Sequence, residues 1–153
     1  MQPLNLPTAQ FRIKGEREKY QIFDMVRKKF VALTPEEWVR QHFINYLLVH
    51  LKYPRGLISV EMPVTINGLK QRADIVLFNR KGQPMMVVEC KAPSVNITRR
   101  VFDQAARYNM RLQTSLLVVT NGLQHYCAAL DAAKEDYSML KQIPTFEQAL
   151  SFH

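Results

Sequence analysis

The stretch VVECKAP (residues 87–93) closes an apolar run, residues 85–88, with two charged side chains, Glu89 and Lys91. In a β-strand, residues two apart point to the same side of the sheet, so both charges face the same way. A charge at a buried strand end is costly unless it is paired or binds an ion. The stretch therefore predicts either an ion pair between these two residues or a metal site, and the rest of the sequence has to separate the alternatives.

This strand is the third of three predicted in succession. LISVEMPVTI (residues 57–66) contains β-branched residues in rough alternation, and the Asn67-Gly68 pair after it is a strong hairpin signal. LKQRADIVLF (residues 69–78) is the second strand, and a polar loop leads from it into the third strand at residues 85–91. The three segments predict an antiparallel meander.

A helix is predicted before the meander. Thr34 is its N-cap, Pro35 occupies the first helical position, and Glu37 completes a capping box. The helix should continue to about residue 51, because Tyr53-Pro54-Arg55-Gly56 then breaks it.

A second helix is predicted after the meander, from about residue 98 to residue 113, with Thr98 as its cap. SLLVVT (residues 115–120) is a short apolar strand of the type found in the middle of a sheet. Asn121-Gly122 then turns the chain into LQHYCAAL, a candidate further strand, and the polar tail is expected to be helical near residues 145–151.

The order helix, three-stranded antiparallel meander, helix, strand predicts the α/β class with one mixed sheet. At 153 residues, the chain is expected to form one domain over residues 1–153. Within it, residues 1–22 are expected to be a lead-in and residues 130–153 a C-terminal extension.

The composition restricts the partners and the compartment. The net charge of +8 favours an anionic partner, most commonly nucleic acid, and the absence of GxxxxGK[ST] argues against P-loop nucleotide chemistry. Cys90 and Cys127 show no zinc-type spacing and suit free thiols in a reducing compartment, with a disulfide as the weaker alternative. Neither a signal peptide nor a membrane span is indicated, so a cytoplasmic protein is expected.

Asp74 lies in the second strand of the meander, and the short loop after it lets the strands pair so that Asp74 comes near Glu89. Two converging carboxylates repel each other, and a magnesium or manganese ion would relieve that repulsion. Lys91 could then hold a water or stabilise developing negative charge. The alternative is structural, because an ExK pair in a strand is common and Asp74 could form a surface pair with Arg72.

The second helix carries a polar and basic stripe. Gln104 and Tyr108 are four residues apart and share a face. Arg100, Arg107 and Arg111 project within about 40° of one another beside Gln104, so they could follow a phosphate backbone. A solvated helix face explains the arginines equally well. The predicted core-facing side consists of Val101, Phe102, Ala105 and Leu112.

Asp74, Glu89-Cys90-Lys91 and QAARY (residues 104–108), in the order helix, meander, helix, strand, resemble the PD-(D/E)xK nuclease superfamily. More narrowly, VRKKFVALTPEEWVRQHF, RADIVLF, VVECKAP and LLVVTNG resemble the N-terminal nuclease domain of type I restriction enzyme R subunits, over roughly residues 23–126. The resemblance implies a restriction-endonuclease-like core.

The resemblance also implies a magnesium site, which manganese could occupy instead. Asp74 and Glu89 would ligate the ion, and the backbone carbonyl of Cys90 would complete the protein ligands. Glu37 matches the acidic residue on the first helix of such nucleases, although its capping box accounts for it equally well.

The same resemblance implies catalytic roles for three more residues. Lys91 would activate or orient the attacking water at the phosphodiester, and Gln104 and Tyr108 would position the lysine or the nucleic acid. The expected function is a metal-dependent endonuclease acting on DNA. The alternatives are a non-cleaving nucleic-acid-binding or assembly module on the same fold, and a scaffold in which Glu89 and Lys91 form a structural pair.

Relatives in that restriction family carry motor domains after this module. The chain is therefore expected either to act alone or to work with a separate ATPase motor or with restriction–modification subunits.

Overall fold

The computed structural model of the protein describes residues 1–152 and contains two sheets. The first is a small antiparallel sheet of three strands: β1 (Ile13–Lys14), β2 (Gln21–Asp24) and β3 (Lys29–Ala32). The second sheet has six strands in sequential order: β4 (Ile58–Ile66), β5 (Leu69–Phe78), β6 (Pro84–Cys90), β7 (Leu116–Thr120), β8 (His125–Asp131) and β9 (Asp136–Leu140). The α-helices of the protein are α1 (Pro35–Asn45), α2 (Arg99–Met110) and α3 (Phe146–Ala149).

The six-stranded sheet is mixed because β6 and β7 run parallel while its other neighbouring strands run antiparallel. A parallel pair needs a crossover connection, and α2 supplies it between β6 and β7. All five residues of β7 are buried, as the apolar sequence SLLVVT predicted. The predicted α/β class, with helix, meander, helix and strand around one mixed sheet, is confirmed.

The two long helices cover opposite faces of this sheet. Phe43 and Leu47 belong to one core cluster with Leu77 of β5, whereas Phe102 and Ala106 of α2 pack in a second cluster with Leu117. Both helices begin at the predicted caps. The Glu37 amide donates to Thr34 Oγ1 at 3.0 Å, and the Val101 amide donates to Thr98 Oγ1 at 3.2 Å.

The chain departs from the predicted elements at three places. The first helix is α-helical only to Asn45 and continues as a π-helical turn over Tyr46–His50. The expected lead-in boundary at residue 22 falls inside β2, and that at residue 130 falls inside β8. The small sheet and strand β9 were not predicted, because β1, β3 and β9 lack a clean burial alternation and β2, which has one, is only four residues long. The one-domain assignment stays a prediction.

No helix within residues 1–152 is both long enough and apolar enough to cross a membrane.

The placement of β7 predicts a contrast between two leucines. Leu117 is fully buried and Leu69 is 64% exposed. Leu117→Ala should lower the free energy of unfolding by about 2–5 kcal/mol, because it removes buried methyl groups and leaves a cavity. Leu69→Ala, the matched control, should change it by no more than about 0.5 kcal/mol. Urea denaturation followed by circular dichroism measures both, and equal losses would contradict the assigned burial of β7.

Candidate active site

Asp74 and Glu89 meet between β5 and β6. Ile75 pairs with Val88, so the next residues outward on the two strands are Asp74 and Glu89. The Cys90 amide donates to Asp74 Oδ2 at 2.7 Å and fixes this carboxylate against β6. Burial raises the pKa of Asp74 above its ordinary value, although the Cys90 amide and Arg40 act in the opposite direction.

Glu89 is the more perturbed of the two carboxyl groups. Burial, followed by the charge of Asp74, raises its pKa to about 7. Asn109 and Lys91 stabilise the ionised form only in part. Two carboxylates in these positions cannot both be ionised at neutral pH without a further positive charge nearby.

Arg40 of α1 is the positively charged residue that pairs with Asp74. Its guanidinium lies 3.1 Å from Asp74 Oδ1, 3.0 Å from Glu61 Oε1 and 2.6 Å from Glu37 Oε1. Arg40 is buried, and these carboxylates raise its pKa despite the opposing effect of burial. One side chain thereby ties α1 to β4 and β5.

Glu61 is a member of the site that the sequence analysis missed. Its φ is +56°, an unusual backbone conformation for a non-glycine residue inside a strand. The register of β4 and β5 is unchanged on both sides of it, from Val60↔Ile75 to Met62↔Ala73. No sequence signal marked this residue, because the apolar alternation of β4 runs past Glu61 without a break.

Glu37 lies three residues before Arg40 on α1 and forms an ion pair with it. Burial alone would raise its pKa, but hydrogen bonds from Arg40, Gln41 and Arg27 lower it to about 2. Arg40, Gln41 and Arg27 together donate to both of its carboxylate oxygens. These contacts place Glu37 as a support for Arg40, and nothing in them supports the expected role as a metal ligand.

Glu36, the neighbouring acid on α1, was not selected from the sequence. Burial raises its pKa first, and the charge of Asp74 raises it further. Glu36 shares with Glu61 and Arg40 a cavity of about 570 Å³ between α1, β4 and the small sheet. Glu36 is therefore a second acidic residue of α1 beside the site, and its side chain is exposed.

Four of the residues expected to be catalytic border one cavity of about 240 Å³: Glu89, Lys91, Gln104 and Tyr108. Within residues 1–152, the Tyr108 hydroxyl is buried without a hydrogen-bond partner. Burial and then the charge of Glu89 raise its pKa. The β6 strand and helix α2 thus bring together residues that are up to nineteen positions apart in sequence.

The core-facing side of α2 agrees with the predicted one in part. Phe102 is buried, and Ala105 and Leu112 are half-buried against the same core cluster. Val101 lines the 240 Å³ cavity instead, and Ala105 borders that cavity as well. The other buried residues of α2 are Ala106 and Asn109. The prediction for Val101 was wrong, because a small apolar residue beside a polar site looks like a core residue in sequence.

The three arginines of the predicted basic stripe lie outside the 240 Å³ cavity. Arg100, Arg107 and Arg111 are exposed, and Arg107 borders a different cavity of about 630 Å³ between α2 and the β8–β9 region. Their role in nucleic-acid binding stays a prediction.

The donor set can be compared with the needs of a divalent cation. Among residues 1–152, no three His, Cys, Asp or Glu side chains are grouped so as to hold a metal ion by themselves. Asp74 and Glu89 provide two carboxylates. The Cys90 side chain is buried in the core, so only its backbone carbonyl is available as a ligand. Magnesium commonly binds through one or two carboxylates and keeps several waters. The residues present fit an ion of that kind.

Strands β5 and β6, with the carboxylate pair between them, lie between helices α1 and α2. The crossover through α2 connects β6 to the parallel strand β7. This arrangement defines a restriction-endonuclease-like core. The family profile of the Type I restriction enzyme R protein N terminus matches residues 35–144. The chain belongs to this family.

One solved structure is similar in fold: a fragment described as an HsdR subunit of a type I restriction enzyme from Vibrio vulnificus YJ016. The TM-score is 0.56 and the sequence identity is 21%, over 77% of this chain and 25% of that chain. The protein therefore spans about a quarter of the length of that fragment. A search of curated proteins gave no match.

The raised pKa of Glu89 predicts the pH dependence of stability in metal-free buffer with chelator. Its folded pKa, about 7, lies above its ordinary value of 4.5, so the unfolded chain loses this proton first as the pH rises. Stability should fall between these two pH values and then level off. Glu89→Gln cannot ionise and should exceed the wild type at pH 8 by roughly 1–3 kcal/mol, with the difference vanishing near about pH 4.

Urea denaturation across this pH range measures the effect. Glu147→Gln is the matched control, because the side chain of Glu147 is 72% exposed. An identical pH profile for Glu89→Gln and Glu147→Gln would contradict the assigned environment of Glu89.

Proposed function

We propose that the protein is a magnesium- or manganese-dependent nuclease domain that hydrolyses phosphodiester bonds in DNA. The observation that carries this proposal is the convergence of Asp74 and Glu89 between β5 and β6, with Glu89 and Lys91 lining one cavity. The family supports it as well, because it is the N-terminal region of the R protein of type I restriction enzymes.

Asp74 and Glu89 would hold the divalent ion, with the backbone carbonyl of Cys90 as a further oxygen ligand. When bound, the ion would supply positive charge that polarises the scissile phosphate and makes a water more acidic. Because the Cys90 amide donates to Asp74 at 2.7 Å, this carboxylate stays oriented without any ligand present.

Lys91 would orient the attacking water and offset the negative charge that develops on the phosphate. In the reaction, the water oxygen forms a bond to phosphorus and gives up a proton, the bond to the leaving oxygen breaks, and that oxygen takes up a proton, so the number of protons is unchanged. Gln104 and Tyr108 border the same cavity, so they can contact the lysine or the nucleic acid. Phosphates would be contacted by the exposed Arg100 and Arg107 of α2 and by Arg111 at its C-cap.

The family supports restriction–modification partners. A motor ATPase or restriction–modification subunits would deliver the DNA to this domain in the cytoplasm. The net charge of +8 suits a polyanionic substrate.

A second candidate function is a non-cleaving nucleic-acid-binding or assembly module. The observation that favours it is the 3.1 Å pair between Arg40 and Asp74, which already gives one oxygen of Asp74 a cationic partner. Such a module would bind DNA with a salt-dependent affinity that does not change with the divalent ion.

The nuclease proposal predicts cleavage of supercoiled, linear or single-stranded DNA only when magnesium or manganese is added. Asp74→Ala and Lys91→Ala should each lower the cleavage rate by about 100-fold or more, since each removes a group that stabilises the reacting phosphate. Lys81→Ala is the matched control, because it removes an exposed lysine from the loop at the far end of β6. Gel electrophoresis of the products measures the rates.

Two results count against the proposal. Equal residual cleavage by the wild type, Asp74→Ala and Lys91→Ala would identify a contaminating nuclease. Metal-independent DNA binding with no cleavage by the wild type on any of the three substrates would support the non-cleaving module.

A further inference from the structure

The outer half of the β4–β5 hairpin extends beyond the body of the six-stranded sheet. Strand β6 pairs with β5 from Ile75 onward, whereas β4 and β5 stay in register from Met62↔Ala73 to Ile66↔Leu69. Residues 62–73 are called the ribbon below. At about 3.4 Å per residue, its five cross-strand pairs give a length of roughly 17 Å.

The ribbon is basic on its exposed side. Lys70 and Arg72 are its charged residues, both are exposed, and no acidic residue occurs between positions 62 and 73. Val64, Ile66 and Ala73 are buried and anchor it. The other exposed side chains are those of Pro63, Thr65, Asn67, Leu69 and Gln71.

The base of the ribbon is the candidate active site itself. Glu61 precedes the ribbon and Asp74 follows it along the chain. Gln71 and Arg72 line the same 240 Å³ cavity as Glu89 and Lys91. A molecule that occupies this cavity therefore also lies against the ribbon.

A protein strand is a poor partner for this element. Strand β4 is an edge strand, so its outer side could in principle pair with another chain. Pro63 has no amide hydrogen to donate, and the positive φ of Glu61 interrupts the extended backbone. Both features obstruct the continuous hydrogen bonding that strand addition requires.

We propose that the ribbon enters a groove of double-stranded DNA and holds the duplex against the candidate active site, an inference that rests on the proposed nuclease function. A two-stranded β-ribbon fits the major groove, which is about 12 Å wide. Lys70 and Arg72 share one face of the ribbon and contact phosphates at the groove wall.

The test is duplex binding measured by fluorescence anisotropy in chelator, where neither a divalent ion nor cleavage is needed. The Lys70→Ala/Arg72→Ala variant is compared with Lys134→Ala/Lys141→Ala, which also removes two exposed positive charges but flanks β9 at the opposite sheet edge. The ribbon variant should weaken duplex binding about 10-fold or more and reduce the salt slope by about 1.8, since each phosphate contact contributes about 0.9. The control should weaken binding by less than about 3-fold.

Equal losses in the two double variants would overturn the proposal, as would wild-type binding to single-stranded DNA that is as tight as binding to duplex. An unchanged urea midpoint for the ribbon variant shows that a loss of affinity is not a loss of folding. If duplex binding depends on the ribbon but no DNA is cleaved in magnesium, the ribbon proposal is supported and the nuclease proposal is contradicted. If DNA is cleaved in magnesium but the ribbon substitutions leave the affinity unchanged, the nuclease proposal is supported and the ribbon proposal is contradicted.

Discussion

The site depends on one electrostatic constraint: two carboxylates, Asp74 and Glu89, lie next to each other where β5 meets β6. Burial raises the pKa of both groups, and each carboxylate makes ionisation of the other more difficult. Arg40 relieves only part of this repulsion, because its guanidinium is shared with Glu37 and Glu61. Ionising both carboxyl groups therefore costs free energy, and a divalent ion coordinated by the same two carboxylates would offset that cost.

The fold produces this arrangement through backbone pairing and one local distortion. The register of β5 with β6 brings the carboxylates together, and the crossover through α2 sets Gln104 and Tyr108 beside them. At Glu61 the backbone of β4 takes a positive φ while its pairing with β5 continues. Strain of this kind tends to persist only where surrounding contacts hold it, and the ion pair with Arg40 is such a contact. The β4–β5 ribbon begins at the same point, so the distortion links the site to a candidate DNA-binding element.

Local signals were enough to predict the elements that form the core. The caps at Thr34 and Thr98, the Asn67-Gly68 hairpin and the apolar β7 each occur where short-range chemistry decides the structure. The proximity of Asp74 and Glu89 also followed from strand pairing across a short loop. The contacts of Arg40 could not be predicted in this way, because they join α1 to residues 21 and 34 positions further along the chain. Strand β9 and the small sheet were not predicted for a different reason: β1, β3 and β9 carry no regular burial pattern, and the alternating β2 is only four residues long.

The central claim is that Asp74 and Glu89 together bind a divalent ion, and calorimetric titration of manganese chloride into metal-free protein tests it most directly. The wild type should show one saturable site, and both Asp74→Asn and Glu89→Gln should abolish it. Glu147→Gln, which alters an exposed carboxylate on α3, should bind as the wild type does. The absence of any saturable heat in the wild type, or an equal affinity in all four proteins, would contradict the claim.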